Sequence, residues 1–335
     1  MEYGYNTERI SLKRASEKEM LRRFLMRHHL KYEEDIEVAF GIFDPAYQMV
    51  GCGCAAGDLL KCFAVDEELR GQNALGVLVN SLINERFTAG HYDLFVITRS
   101  VNESLFRGCG LSKVARTSSL VLLENRIDGP ERYATDLWRK EDEGKTIGAI
   151  VMNCNPFTLG HRYLVENAAL QCEALYVFVV EEDRSVFSAG DRYKLVCEGL
   201  SDIGNVRVCL SGKYMISKET FPTYFLKENE DAAKLQAELD ITLFAERIAP
   251  LFNIRKRFAG QEPFDPVTAA YNDVMRKLLP NYGIDFYEIP RFEQNGKPIS
   301  ASYVRQLLSN PATYEQAYSF VPESTRNYLE QIRNN

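Results

Sequence analysis

The sequence predicts an α/β chain in two parts: an α+β domain first, then a domain built on a parallel sheet. Three observations carry that expectation. Within residues 1–125, short strand-like runs follow one another with only turns between them, flanked by helical periods. From residue 147 onward, apolar strand runs alternate with helices. A highly charged stretch, Arg139–Lys145, separates the two patterns.

Taken in order, residues 9–29 read as a helix with Met20, Leu21, Phe24 and Leu25 on one face and Ser16 as its N-cap. Strands are expected at Glu37–Phe43, Gln48–Ala55 and Leu59–Val65, with Asp44-Pro45 and Gly57-Asp58 as turns, hence an antiparallel meander. A helix to about Phe87, a buried strand Asp93–Thr98, a short helix Asn102–Gly108 and one last strand, Lys113–Leu123, complete residues 1–125. Gly129-Pro130 opens a linker helix within 126–143. The second domain, 144–335, starts with the apolar strand Ile147–Met152 and a helix Gly160–Gln171. Strand Leu175–Val180, a Ser188-capped helix Ala189–Leu200 and strand Asn205–Leu210 follow. After an irregular region come a helix Asp231–Leu239, strand Arg255–Ala259, helix Pro266–Leu279 and strand Ile284–Ile289. Helices beginning near Ser300, Pro311 and Pro322 end the pattern. In such sheets ligands bind beyond the C-terminal strand ends, at the switch point.

Composition narrows the function. Of 335 residues, 45% are hydrophobic and 26% charged, an ordinary globular balance. A net charge of −7 argues against nonspecific binding to nucleic acid or anionic membranes. No apolar run approaches the ~18 residues that cross a bilayer, and the first residues lack a signal-peptide core. The expected location is therefore cytoplasmic, and the eight cysteines are read as reduced thiols. Cys52 and Cys54 share a strand face without a second ligand pair, so no metal site is expected there.

The strongest constellation follows strand Ile147–Met152. Asn155-Pro156 turns the chain, and Gly160 allows close backbone approach at a helix start. The helix N-terminus favours an anion. Thr158 adds a hydroxyl, and His161 places an imidazole on the first turn. A second helix opens at Ser300 and Ser302, with Lys297 and Arg305 as cations for a polyphosphate. His161 is the only histidine after residue 91. Less specific contacts are Gly260-Gln261-Glu262-Pro263 after the fourth strand, Asp183-Arg184-Ser185 after the second, and Arg192 and Lys218 near helix starts; each reads equally well as solvated surface. Cys154, beside the motif, reads as a small packing residue with a reactive thiol as the alternative.

Thr158-Leu159-Gly160-His161 and Ile299-Ser300-Ala301-Ser302-Tyr303-Val304-Arg305 together resemble the (H/T)xGH and ISxSxxR signatures of the nucleotidyltransferase superfamily, a Rossmann-like fold. The resemblance implies ATP binding, attack on the α-phosphorus and loss of pyrophosphate. His161 would stabilise developing phosphoryl charge with help from Thr158, and Ser300, Ser302 and Arg305 would hold the β- and γ-phosphates.

Residues 9–123 resemble the GNAT acetyltransferase fold in element order. Arg70-Gly71-Gln72-Asn73-Ala74-Leu75 stands in the place of that family's pyrophosphate loop, with Asn73 where a glycine is usual. Phe106 occupies the region where acetyltransferases often carry a proton-donating tyrosine. Phenylalanine cannot donate, so the resemblance implies docking of a CoA-like arm, or a structural domain, more than acetyl-CoA chemistry.

The stretches 148–169, 217–227 (SKETFPTYFLK) and 257–272 (RFAGQEPFDPVTAAYN) are similar to the citrate lyase ligase family over nearly the whole chain. That resemblance implies joining acetate, activated by ATP with Mg²⁺, to the CoA-derived thiol of the citrate lyase acyl carrier protein, through acetyl-adenylate. Two other readings stand beside it: a nucleotidyltransferase acting on a pantetheine or mononucleotide phosphate, and a protein that senses CoA-like ligands without turnover.

Overall fold

A computed structural model describes residues 4–181, 185–217, 220–262, 265–294 and 297–334, with the side chains of 297, 298 and 334 outside the description. The chain forms two compact units: Met1–Gly129 with Phe221–Leu235, and Pro130–Thr220 with Gln236–Asn335. The segment 221–235 thus groups with the first unit although it lies far along the sequence. The helix read as a linker groups with the second.

The first unit contains β1 (Asn6–Arg9), α1 (Ala15–Arg27), β2 (Val38–Phe43), β3 (Met49–Ala56), β4 (Leu59–Val65), α2 (Ala74–Thr88), β5 (Phe95–Arg99), α3 (Glu103–Gly108), β6 (Ser112–Arg116) and β7 (Leu120–Glu124). Its seven strands run in the order β1-β2-β3-β4-β5-β7-β6. All neighbours are antiparallel except β4 and β5. These two pair in parallel at Leu59 and Phe95 alone, so their C-terminal halves diverge. One face of the sheet buries Leu21, Phe24 and Leu25 of α1 with Cys52, Cys54 and Cys62. The other buries Val79 and Leu82 of α2 with Val96 and Val121. Three details depart from the sequence reading. Strand Lys113–Leu123 is a hairpin, β6–β7, whose turn is fixed by the Thr117 hydroxyl accepting from the Leu120 N–H at 3.0 Å. β1 was missed. Helix α1 starts before Ser16, at Ala15, with no side-chain cap; instead Glu17 accepts from the Ser11 N–H at 2.7 Å.

The second unit contains α4 (Gly129–Leu137), β8 (Ile147–Met152), α5 (Leu159–Ala169), β9 (Ala174–Val179), α6 (Ala189–Gly199), β10 (Val206–Leu210), α7 (Ala232–Leu243, whose first turn groups with the first unit), α8 (Ala249–Leu251), β11 (Ile254–Gly260), α9 (Pro266–Leu278), β12 (Asp285–Ile289), a short β13–β14 pair (Glu293–Gln294, Lys297–Pro298), α10 (Ala301–Leu308) and α11 (Glu323–Asn334). A π turn, Phe244–Ile248, joins α7 to α8. The helix expected near Pro311 is a 3-10 run, Tyr314–Phe320. The main sheet is parallel throughout, in the order β10-β9-β8-β11-β12. The first strand is central, and the order reverses between β8 and β11, which makes their C-terminal ends the switch point.

Every residue of β9 is buried, as a strand covered on both faces requires. One face packs Ile150, Met152, Val177 and Val179 against Val165 and Ala168 of α5 and Leu195 and Val196 of α6. The other carries an aromatic cluster in which Phe252 meets Tyr176 at 5.1 Å and Phe178 at 5.4 Å, edge to face. Gly148 has no room for a side chain: a Cβ there would lie 2.8 Å from the Phe258 ring and 2.9 Å from Cys172 Sγ. Among the described residues no helix is long and apolar enough to cross a membrane. All eight cysteines are free thiols.

Candidate functional site

The switch point of the second unit lies where β8 ends. Asn153 leaves the strand, Cys154 takes a left-handed turn at φ 52°, and the Asn155–Pro156 peptide is cis. The Cys154 thiol is buried, and burial pushes its pKa up, so it packs and does not present a thiolate. Thr158 is the N-cap of α5 and closes a reciprocal capping box with His161. The Thr158 hydroxyl accepts from the His161 N–H at 3.3 Å. In return the Thr158 N–H donates to His161 Nδ1 at 3.1 Å. Accepting there makes Nδ1 the unprotonated nitrogen, so Nε2 carries the hydrogen. That N–H has no partner among the described residues. Burial, and then the charge of Arg291, hold the imidazole down to about 4 from its ordinary 6.5. At neutral pH it is an uncharged donor at a helix N-terminus.

The second motif packs against the first. A Cβ on residue 160 would lie 3.0 Å from the Ile299 carbonyl oxygen, so Gly160 makes room for the protein's own backbone. Ser300 caps α10, its hydroxyl accepting from the Tyr303 N–H at 3.1 Å. Arg305 donates to the Asn155 carbonyl and, at 3.2 Å, to Ser302 Oγ. Asn155, Gly160, His161, Ser300, Ser302 and Arg305 are therefore brought together. Lys297 lies in β14, its side chain outside the described residues.

Gly260 and Glu262 leave β11 on the other side of the switch point. The Gly260 carbonyl accepts from Asn272 Nδ2 at 3.0 Å. Glu262 is ion-paired with Arg291, a residue the sequence reading did not single out. Arg192, expected as equally well solvated, is completely buried. It donates to the Phe187, Asn153 and Val180 carbonyls at 3.1, 2.6 and 2.8 Å and so ties the ends of β8 and β9 to α6. Neither residue has a local spacing signal; their partners lie 12 to 39 residues away in most of these bonds. Asp183, Arg184, Lys218 and Pro263 lie outside the described residues. Ser185 Oγ is 3.5 Å from Asn153 Oδ1. No group of three or more His, Cys, Asp or Glu among the described residues could hold a metal ion.

The first unit holds a cavity of about 1170 Å³ where β4 and β5 diverge. Phe63, Ala64 and Val65 line one wall, Thr98 and Arg99 the other. Arg70, Gly71 and Asn73 lie at its rim with the first turn of α2. Gly71 and Asn73 are both left-handed, φ 81° and 60°. Asn73 forms no side-chain cap, so the first-turn N–H groups of α2 lack an intrahelical or capping acceptor. Phe106 lines the cavity and packs edge-on to Phe63 at 5.2 Å; its own ring has no hydroxyl to donate. Tyr224–Glu228 form a further part of the wall. That segment is held by the Lys31 N–H on the Tyr224 carbonyl at 2.9 Å. Thr223 donates through its N–H and hydroxyl to Glu33, at 2.9 and 3.1 Å, and Glu33 in turn pairs with the buried Lys61 at 2.8 Å. Arg99 is stacked over Phe225 and ion-paired with Glu230, whose carboxyl is held down to about 2 by the guanidinium and the Lys227 N–H. This wall contains part of the 217–227 stretch noted in the sequence.

Comparison with known proteins matches these features. The profile of the citrate lyase ligase C-terminal domain matches residues 147–329. A citrate (pro-3S)-lyase ligase of Klebsiella pneumoniae is 41% identical over 326 residues, covering 96% of this chain and 95% of the relative. One from Escherichia coli K12 is 38% identical over 329 residues, covering 96% and 93%. Among solved structures, a GNAT-family acetyltransferase of Staphylococcus aureus aligns with 36% of this chain and 100% of its own, at 12% identity and a TM-score of 0.31. A bifunctional NMN adenylyltransferase/ADP-ribose pyrophosphatase of Francisella tularensis aligns with 57% of this chain and 50% of its own, at 13% identity and a TM-score of 0.38. With relatives of this identity along nearly its full length, the chain belongs to the citrate lyase ligase family.

Proposed function

We propose that the chain is an ATP-dependent ligase that acetylates the CoA-derived thiol of the citrate lyase acyl carrier protein, through an acetyl-adenylate formed in the second unit. The observation that carries this reading is the neutral His161 imidazole, fixed by the capping box with Nε2–H unengaged at the N-terminus of α5.

Acetate and ATP are both anions at neutral pH, so the reaction needs fixed donors where phosphoryl charge develops. Substrate enters as MgATP, in which the ion shields the triphosphate. The triphosphate lies across the N-termini of α5 and α10, where dipoles and free N–H groups favour it. Arg305 exchanges the Asn155 carbonyl for the β- and γ-phosphates. His161 Nε2–H donates to an α-phosphoryl oxygen. A carboxylate oxygen of acetate bonds to the α-phosphorus, the α–β bridge breaks, and pyrophosphate leaves. The thiol sulfur then attacks the acetyl carbonyl. Its proton goes to solvent, and AMP leaves with the C–O bonding electrons.

The cavity of the first unit supports docking of the thiol arm. Its α2 N-terminus and Arg70 suit a diphosphate, and its volume and apolar walls suit a pantetheine chain. The missing hydroxyl at Phe106 fits a unit that holds a thiol without drawing acetyl groups from acetyl-CoA.

Incubation with ATP, acetate and dephospho-CoA tests the reading by mass spectrometry and nucleotide analysis. Acetyl-thioester, AMP and pyrophosphate are expected in equal amounts. Formation of ADP, or of a nucleotide-extended acceptor without thioester, would refute it.

A further inference from the structure

Arg291 follows β12 at the C-terminal edge of the parallel sheet, beside the exit of β11. Its neighbour Phe292 stacks on Tyr163 of α5, with ring centres 5.1 Å apart. The Phe292 carbonyl accepts from the Ile299 N–H at 3.0 Å, and the Ile299 carbonyl fills the space above Gly160. The chain around Arg291 is thereby stitched to the first turn of α5, the turn that carries His161. The Arg291 guanidinium is held at two points on its other side. Nε donates to the Gln261 carbonyl at 2.9 Å, and Nη2 pairs with Glu262. The side chain of Glu262 is only 8% exposed, and its second oxygen accepts from the Asp265 N–H at 3.1 Å. Nη1 makes no hydrogen bond among the described residues.

A carboxylate placed against a polyphosphate is repulsive. Glu262 is therefore poorly suited to touch nucleotide phosphates, but well suited to fix a guanidinium. Arginine presents a planar fork of five donors, so two held edges still leave N–H groups for a third partner. The guanidinium lies close enough to His161 for its charge to disfavour the imidazolium. The same positive charge would attract an α-phosphate.

We propose that Arg291 is a catalytic residue that contacts the α-phosphate beside His161, and that Glu262 is the positioning residue that aims it. The proposal rests on reading the crevice as the adenylation site. It gives Glu262 a role through Arg291 in place of the nucleotide contact expected from sequence.

The test is acetate-dependent ATP–pyrophosphate exchange in Arg291→Gln, Arg291→Lys, Glu262→Gln and the double variant Arg291→Gln/Glu262→Gln, with folding checked by circular dichroism. Arg291→Gln should lower kcat by about 10²-fold, the scale of one lost transition-state donor, with a smaller change in KM for ATP. Arg291→Lys should recover part of that loss. Glu262→Gln should lower kcat by about 10-fold, and the double variant should be no slower than Arg291→Gln within about 3-fold, because the two act as one unit. A folded Arg291→Gln enzyme within about 3-fold of wild type overturns the assignment. A further loss in the double variant overturns the positioning role of Glu262. Should Arg291→Gln not fold, Arg291→Lys decides, and unchanged turnover overturns the proposal. Failure of the adenylation reading is recognised separately. If wild type binds MgATP by calorimetry without acetate-dependent exchange, that reading falls, and Arg291 is judged by whether Arg291→Gln weakens MgATP by about 10-fold. If wild type binds no MgATP, both fall.

Discussion

His161 is both a helix cap and the proposed donor to the phosphoryl group. The capping box fixes its tautomer, and burial with the nearby Arg291 charge keeps it neutral. Its folded pKa is depressed, so the neutral form is the one the fold favours. The sign follows: its stabilising contribution is complete above the ordinary 6.5 and is lost as pH falls through about 4. The rate of adenylation should accordingly show no acid limb near 6.5 that belongs to His161. His161→Asn keeps an acceptor for the Thr158 N–H but loses Nε2–H, and exchange should fall about 10²–10³-fold in a folded protein. An acid limb near 6.5 in wild type that vanishes in His161→Asn would contradict the neutral-donor role. The motif around His161 was legible because strand, turn and helix start are consecutive in sequence. The Arg291–Glu262 pair was not, because its partners are 29 residues apart and meet only when β11 and β12 pair.

Among the elements, the regular alternation of the second unit could be read directly: the five expected strands lie within one or two residues of β8 to β12. What escaped was local hydrogen-bond competition. The Thr117 hydroxyl turned one expected strand into the β6–β7 hairpin, and the π turn extended α7 to Leu251. The ends of β8 and β9 depend on a residue that helical periodicity cannot identify as buried. Arg192 sits near the start of α6, yet it satisfies carbonyls on both strands and on Phe187. Replacing it leaves buried acceptors unmet, which costs the desolvation of each group. Arg192→Met should therefore destabilise the protein by about 3 kcal/mol or more, seen as an earlier midpoint in urea, because three buried carbonyls lose their donor at about 1–3 kcal/mol each. A midpoint equal to wild type would show that water or neighbouring donors replace the guanidinium.

For the whole molecule, the sequence pattern changes at Arg139–Lys145 while the compact units divide at Gly129, and the membership of 221–235 was not visible in the sequence. That segment runs from apolar (FPTYFL) to highly charged (KENED) residues, but nothing in it names partners so far back in the chain. Its place is set by Thr223 on Glu33 and Arg99 on Glu230, pairings across 190 and 131 residues. The cavity it walls could be anticipated only from Arg70–Asn73, since the divergence of β4 from β5 is a property of the sheet. The central claim is that the second unit adenylates a carboxylate, leaving the thiol to react afterwards. Exchange of labelled pyrophosphate into ATP by the wild-type chain, measured with acetate and without any thiol, tests it most directly. The account predicts exchange that requires acetate and proceeds without the carrier protein or dephospho-CoA. Exchange that ignores acetate and appears only with a pantetheine or mononucleotide phosphate would contradict it.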